Sequence, residues 1–239
     1  EIAQCLVGSE MCIRDRISPA CYISYVVYCR RGFNMGKILL NCRKVCCERR
    51  DNNMSIPAHE AKSRLIEGNK RFINATSNPG DVSLERRVDT LKNGQHPYAI
   101  VLCCSDSRQV PEAIFSAGIG ELFVIRVAGN VVDSHQLGSI EYAADHLDCK
   151  LVVVLGHNHC GAVEAAIKHD PDGHIKYITD DIREAIKEEK DEYIATCLNV
   201  KHSVKVIEDN TDMKLLEEKG LEVIGAVYHL EDGHVEFLE

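Results

Sequence analysis

Tryptophan is absent from the 239-residue chain, and aromatic residues make up only 5% of it. That excludes recognition by a tryptophan cage of the kind that grips sugars or methylated lysine. Positive charge is also in short supply: 28 Lys+Arg face 37 Asp+Glu, a formal net charge of −9. Phosphate backbones are bound by clustered Lys and Arg, so nucleic acid is excluded as a partner. Long apolar runs are missing, and the stretch over residues 22–29 falls far short of the ~20 residues that span a bilayer, so no membrane association is expected. There is no phosphate-binding glycine loop, no internal repeat and no low-complexity tract. Neither Gly118-Ile119-Gly120 nor the Gly156/Gly161 spacing matches a dinucleotide fingerprint. What is present, 45% hydrophobic and 27% charged residues, is the balance of an ordinary globular protein.

The 12 cysteines and the charge divide the chain in two. Residues 1–53 hold seven cysteines and a net charge of +4, whereas residues 54–239 hold five cysteines and −13. The first part shows no sustained periodicity, no paired C-x-x-C spacing and no secretory layout. Its run from Leu6 to Arg16 looks like translated adaptor sequence. Residues 1–53 are therefore read as a non-native extension, irregular in structure, with Met54 as the natural start and Met35 the second choice. Residues 54–239 are read as the working domain.

In that domain apolar runs alternate with helical patterns. A helix is expected after Ser55 with Pro57 in its first position and Ala61, Leu65, Ile66 and Phe72 on one face. A second spans 83–93 and stops at Gly94. Strands are predicted at 98–103, 122–127, 151–155 and 221–228, and helices at 134–146 and 161–169. A charged helical stretch covers 180–213. Gly233 permits a hairpin into a short antiparallel edge at 234–238. Near-continuous apolar strands between helices imply an α/β fold with a mostly parallel sheet of about four strands plus that edge strand, flanked by helices. Working groups of such sheets collect beyond the carboxyl ends of the strands.

Two segments fall there: Cys104-Ser105-Asp106-Ser107-Arg108 and Gly156-His157-Asn158-His159-Cys160-Gly161. Two thiolates and one imidazole suit zinc, and three protein ligands leave a fourth position open, as in catalytic sites. Cys103 should point away from Cys104 by strand alternation; with Cys149 and Cys197 it is read as structural. His159 adjoins the ligands but is expected to lie outside the ligand set.

These motifs resemble the β-class carbonic anhydrases over residues 55–239. The resemblance rests on Cys104-x-Asp106-x-Arg108, Pro111-Glu112, Arg126-Val-Ala-Gly-Asn130, Gly156-His157-x-x-Cys160-Gly161 and the closing Gly225-Ala-Val-Tyr and Gly233-x-Val-Glu-Phe-Leu. It implies one Zn²⁺ per subunit held by Cys104, His157 and Cys160, and reversible hydration of CO₂ to bicarbonate and a proton. Zinc lowers the pKa of a bound water toward neutrality, giving a hydroxide nucleophile. Asp106 would orient that hydroxide and Arg108 would keep Asp106 ionised; in some members this aspartate becomes a fourth ligand and closes the site. The resemblance also places Gln95, Phe123, Ala128 and Tyr142 around CO₂ and aims the Gly161 N–H at bicarbonate. His146 matches a position proposed for proton shuttling, with a plain surface histidine as the other reading. Some pocket residues come from a neighbouring subunit, so a homodimer or an assembly of dimers is implied. With no secretion signal, reduced thiolates fit the cytoplasm.

Some positions depart from the family. Asn158 replaces a Ser or Thr, altering a bond behind the ligands. Gln109-Val110-Pro111 replaces a more apolar run, with little effect expected. Without tryptophan, regulation through a tryptophan-lined bicarbonate pocket is not expected. Two alternatives stay open: the same zinc site acting on CS₂ or COS, and a non-catalytic, zinc-stabilised homologue.

Overall fold

The structure, a computed structural model, describes residues 55–75, 80–168 and 172–238. The expectations for residues 1–54 lie outside the described residues. Five strands form one sheet in the order β2-β1-β3-β4-β5. They are β1 (Ala99–Cys103), β2 (Leu122–Arg126), β3 (Leu151–His157), β4 (Glu222–Tyr228) and β5 (Val235–Phe237). β1 pairs in parallel with β2 and β3, and β3 in parallel with β4. Only β5 runs antiparallel, against β4. The expected mostly parallel sheet with an antiparallel edge is what the chain forms.

β1 and β3 are buried along their whole length. Their alternate residues therefore feed two cores. Val101, Cys103, Val153 and Leu155 face one side; Ile100, Leu102, Val152 and Val154 face the other. The first side is covered by α1 (Ala58–Ile73), which buries Ala61 and Leu65, and by the short α3 (Pro111–Ile114). Helix α2 (Leu84–Asn93) starts from a Ser83 cap and buries none of its residues. The second side is covered by α4 (Ser134–Glu141), α7 (Glu192–Asp209) and α8 (Thr211–Glu217). Helices α5 (Gly161–Lys168) and α6 (Ile175–Ile186) enclose a third cluster that contains Cys104 and Cys160.

Three expectations are corrected in detail. Pro57 caps α1 from outside rather than occupying its first turn. The helix predicted over 134–146 is α-helical only to Glu141, and Tyr142–His146 widens into a π turn. The stretch 180–213 is not continuous: Lys187, at φ 52, ends α6, and the Asn210 side chain accepts the N–H groups of Asp212 and Met213 to open α8. A left-handed residue and an Asx cap are local choices that a helical periodicity does not register. Among the described residues no helix is long and apolar enough to cross a membrane.

Candidate metal centre

β1 and β3 lie side by side, so the residues that follow them meet at one end of the sheet. Cys104 comes directly after β1, His157 is the last residue of β3, and Cys160 precedes α5. The Cys104 Sγ, Cys160 Sγ and a ring nitrogen of His157 all lie within 4.8 Å of one another, and all three residues are buried. His157 Nδ1 lies 2.7 Å from the Asn158 carbonyl oxygen. A carbonyl only accepts, so Nδ1 carries the proton and Nε2 presents its lone pair to the cluster. That Nε2 is buried with no hydrogen-bond partner. A buried, unpaired nitrogen between two sulfurs costs stability unless something binds it, and the donor set suits a zinc ion.

The two sulfurs lie close enough to act on each other's protons. Cys104 is held well below the ordinary thiol range, first by a hydrogen bond from Cys160. The same bond pushes Cys160 upward. A divalent cation held by both sulfurs would displace their protons. The Gly129 N–H, 3.3 Å from the Cys104 sulfur, adds a further donor. Gly129 sits at φ 68 in the 3₁₀ turn Ala128–Asn130, where an added Cβ would come within 2.7 Å of Ile182. Helix α7 holds this turn: Asn199 Nδ2 donates to the Gly129 oxygen at 2.8 Å, and Ser203 Oγ to the Asn130 oxygen at 3.0 Å.

Asp106 lies beside the ligands, its Oδ2 3.8 Å from His157 Nε2. Arg108 grips both carboxylate oxygens, Nε to Oδ1 at 3.0 Å and Nη2 to Oδ2 at 2.7 Å. This pairing holds the carboxyl down to about 2. Arg108 Nη2 also donates to the His159 oxygen at 3.1 Å, joining the two ligand loops. The His159 ring itself is exposed, 3.6 Å from Glu192. Cys103 faces the opposite core, where burial pushes its thiol up to about 12, and burial likewise raises Cys149 to about 11.

The other predicted residues separate into two groups. Ala128 adjoins the Gly129 turn, and Gly161 opens α5 directly after Cys160, where an added Cβ would meet nothing. Gln95, Phe123, Tyr142 and His146 are not brought to the ligands by this chain. Gln95 is exposed before β1. Phe123 is level with Ile100, four residues before Cys104, about 13 Å along the strand direction. Its ring lies 6.1 Å from that of Tyr142, which lies 5.3 Å from His146.

Sequence reasoning missed two residues. Gln109, expected to have little effect, is fully buried and hydrogen-bonded to both ligand segments. Arg126, at the end of β2, donates to the carbonyls of Cys104 (3.2 Å), Asp106 (2.6 Å) and Gln109 (2.8 Å). Its signals in the sequence were an arginine ending an apolar strand and its place at the head of the Arg126-Val-Ala-Gly-Asn130 motif, neither of which gave its partners. Asn158 bonds the Glu231 carboxylate at 2.6 Å and the Leu230 N–H at 3.0 Å, tying the ligand loop to the segment after β4.

A family model described as carbonic anhydrase matches residues 99–235. A carbonic anhydrase of Mycolicibacterium smegmatis is 35% identical over 184 residues, covering 72% of this chain and 89% of that protein. The chain belongs to the β-carbonic anhydrase family. The β-carbonic anhydrase of Coccomyxa, solved in complex with acetazolamide, superposes with a TM-score of 0.59 at 28% identity, covering 65% of this chain and 78% of that one. One of two tetrameric β-carbonic anhydrases of Sordaria macrospora gives a TM-score of 0.57 at 29% identity, covering 65% and 87%. Membership of this enzyme family agrees with the fold and with the Cys-His-Cys cluster that could hold a metal.

Proposed function

We propose that this β-carbonic anhydrase family member catalyses CO₂ + H₂O ⇌ HCO₃⁻ + H⁺ with one zinc ion per subunit, held by Cys104, His157 and Cys160. The observation that carries this reading is the buried, unpaired His157 Nε2 between two sulfurs, with the Asp106 carboxylate 3.8 Å away. When bound, zinc supplies the Lewis acidity that makes water a nucleophile near neutral pH. Asp106 Oδ2 accepts the hydrogen bond of the attacking water and turns its lone pair toward carbon. Arg108 keeps that carboxylate charged and aimed, and its hold on both oxygens supports the arrangement in which Asp106 stays off the metal. The Gly161 N–H, at the start of α5, is the group offered for holding the product anion. The Asn158 carbonyl fixes the His157 tautomer.

The apolar pocket for CO₂ is completed by a second copy of the chain. Three observations support this: β2 is an edge strand, Phe123 is half-buried on it, and Tyr142 is 45% exposed beside it. Gln95, Phe123 and Tyr142 would then reach the ligands across the interface, in a homodimer or an assembly of dimers. His146, on the same row, is the group offered for carrying the proton to solvent. The described cysteines are all free, which fits a reducing compartment such as the cytoplasm.

Stopped-flow hydration of CO₂, read with a pH indicator beside zinc content, tests the reading. Cys160→Ser is expected to lose both zinc and activity. Asp106→Ala is expected to keep zinc and lose about 10²-fold or more in kcat/KM. Normal turnover in Cys160→Ser, or turnover on CS₂ without turnover on CO₂, would sink it.

A further inference from the structure

Pairing of β1 with β3 stops at Cys103 and Leu155. Beyond that point the backbones separate. Cys104 leads into the Asp106 loop, while β3 runs on beside β4 to His157. The gap between them is where the metal ligands sit, and a gap between buried backbones leaves peptide groups to satisfy.

Gln109 fills it with its carboxamide. Oε1 accepts the Cys104 N–H at 3.1 Å. Nε2 donates to the carbonyls of Leu155 at 3.2 Å and Gly156 at 3.0 Å. The planar side-chain amide, acceptor on one side and donor on the other, replaces the peptide-to-peptide pairing the two strands have given up. Its reach is set at the backbone: the Gln109 N–H donates to the Asp106 oxygen at 3.0 Å, and its carbonyl accepts from Arg126 at 2.8 Å. The bonds land on Cys104 itself and on the residue before His157. An apolar residue here would leave the Cys104 N–H and the Gly156 carbonyl buried without these partners.

Building on the zinc reading above, we propose that Gln109 is a positioning residue that sets the separation of Cys104 from His157. It thereby governs how tightly, and in what ligand geometry, the metal is held. A side chain that merely fills space would affect folding stability alone.

The full chain loaded with cobalt(II) tests this by its visible spectrum, alongside the rate of zinc loss to a chelator. Gln109→Met keeps length and bulk but removes all three bonds. Gln109→Glu keeps the acceptor and sets a carboxylate against two carbonyls. Both are expected to shift the thiolate-to-cobalt and d–d bands and to speed zinc release about 10–100-fold. In both, kcat should fall while KM changes little. Gln109→Asn, which keeps the amide but falls one methylene short, decides by the same two readouts if the others do not fold. Wild-type spectra and release rates in these variants, whatever their melting temperatures, would overturn the proposal. A wild-type chain that binds no cobalt through its thiolates would instead remove the zinc reading itself.

Discussion

At the carboxyl ends of β1 and β3 each ligand-bearing loop is tied to a distant segment of the same chain. Arg126 holds three carbonyls of the Cys104 loop, Gln109 and Arg108 each bridge that loop to the β3 side, and Asn158 anchors the other to the chain after β4. Along the β2 edge, by contrast, Phe123, Tyr142 and His146 form a row of rings, Phe123 half-buried and the other two exposed. On the proposed reading, the difference separates two jobs. Holding a metal needs positions fixed to a fraction of an ångström, which one chain supplies through hydrogen bonds to its own backbone. Enclosing a small apolar molecule needs walls, and walls can be borrowed from a second subunit.

Breaking the tied end should have the largest effect. Arg126→Leu removes the donor from three carbonyls at once, and about 2–4 kcal/mol of stability should go with it. Zinc affinity should fall about 10–100-fold, read by chelator competition and by melting with and without metal. Unchanged zinc affinity would show that the ties serve folding alone. Phe123→Asp probes the open edge. It should dissociate the assembly in light scattering and lower turnover about tenfold or more, with zinc content per chain intact. Equal loss of zinc and of assembly would erase the distinction between the two regions. The smallest effect belongs to Cys103→Ala, one residue from a ligand but on the opposite face. A cost of about 1 kcal/mol in stability is expected, with zinc content and activity unchanged by assay. A loss of metal there would mean that strand alternation does not partition the two thiols.

Much of the site was legible along the chain. Cys104, His157 and Cys160 stand at or just past strand ends in a set that suits a soft metal, and Asp106 and Arg108 are close enough in sequence to pair through a local turn. The alternation that separates Cys103 from Cys104 follows from the two-residue period of a strand and is borne out by their different cores. Gln109 and Arg126 were not legible in the same way. Their partners are backbone atoms, from 5 to 47 positions away, and backbone atoms carry no residue-specific signal. The π turn at Tyr142–His146 and the break at Lys187 were hidden for a related reason: the apolar pattern runs on while the local geometry changes.

By itself, the order of residues determined where the strands lie, that the sheet is mainly parallel, and which three side chains have the chemistry of a soft metal ligand set. These depend on composition and short-range period, both of which are read directly along a chain. Only the tertiary structure decided that Gln109 spans the gap between β1 and β3, that Arg126 clamps the loop between them, and that the aromatic row lies apart from the ligands. Those facts depend on where strands distant in sequence stop pairing, and a hydrogen bond has no direction or length until both of its ends have been placed in space.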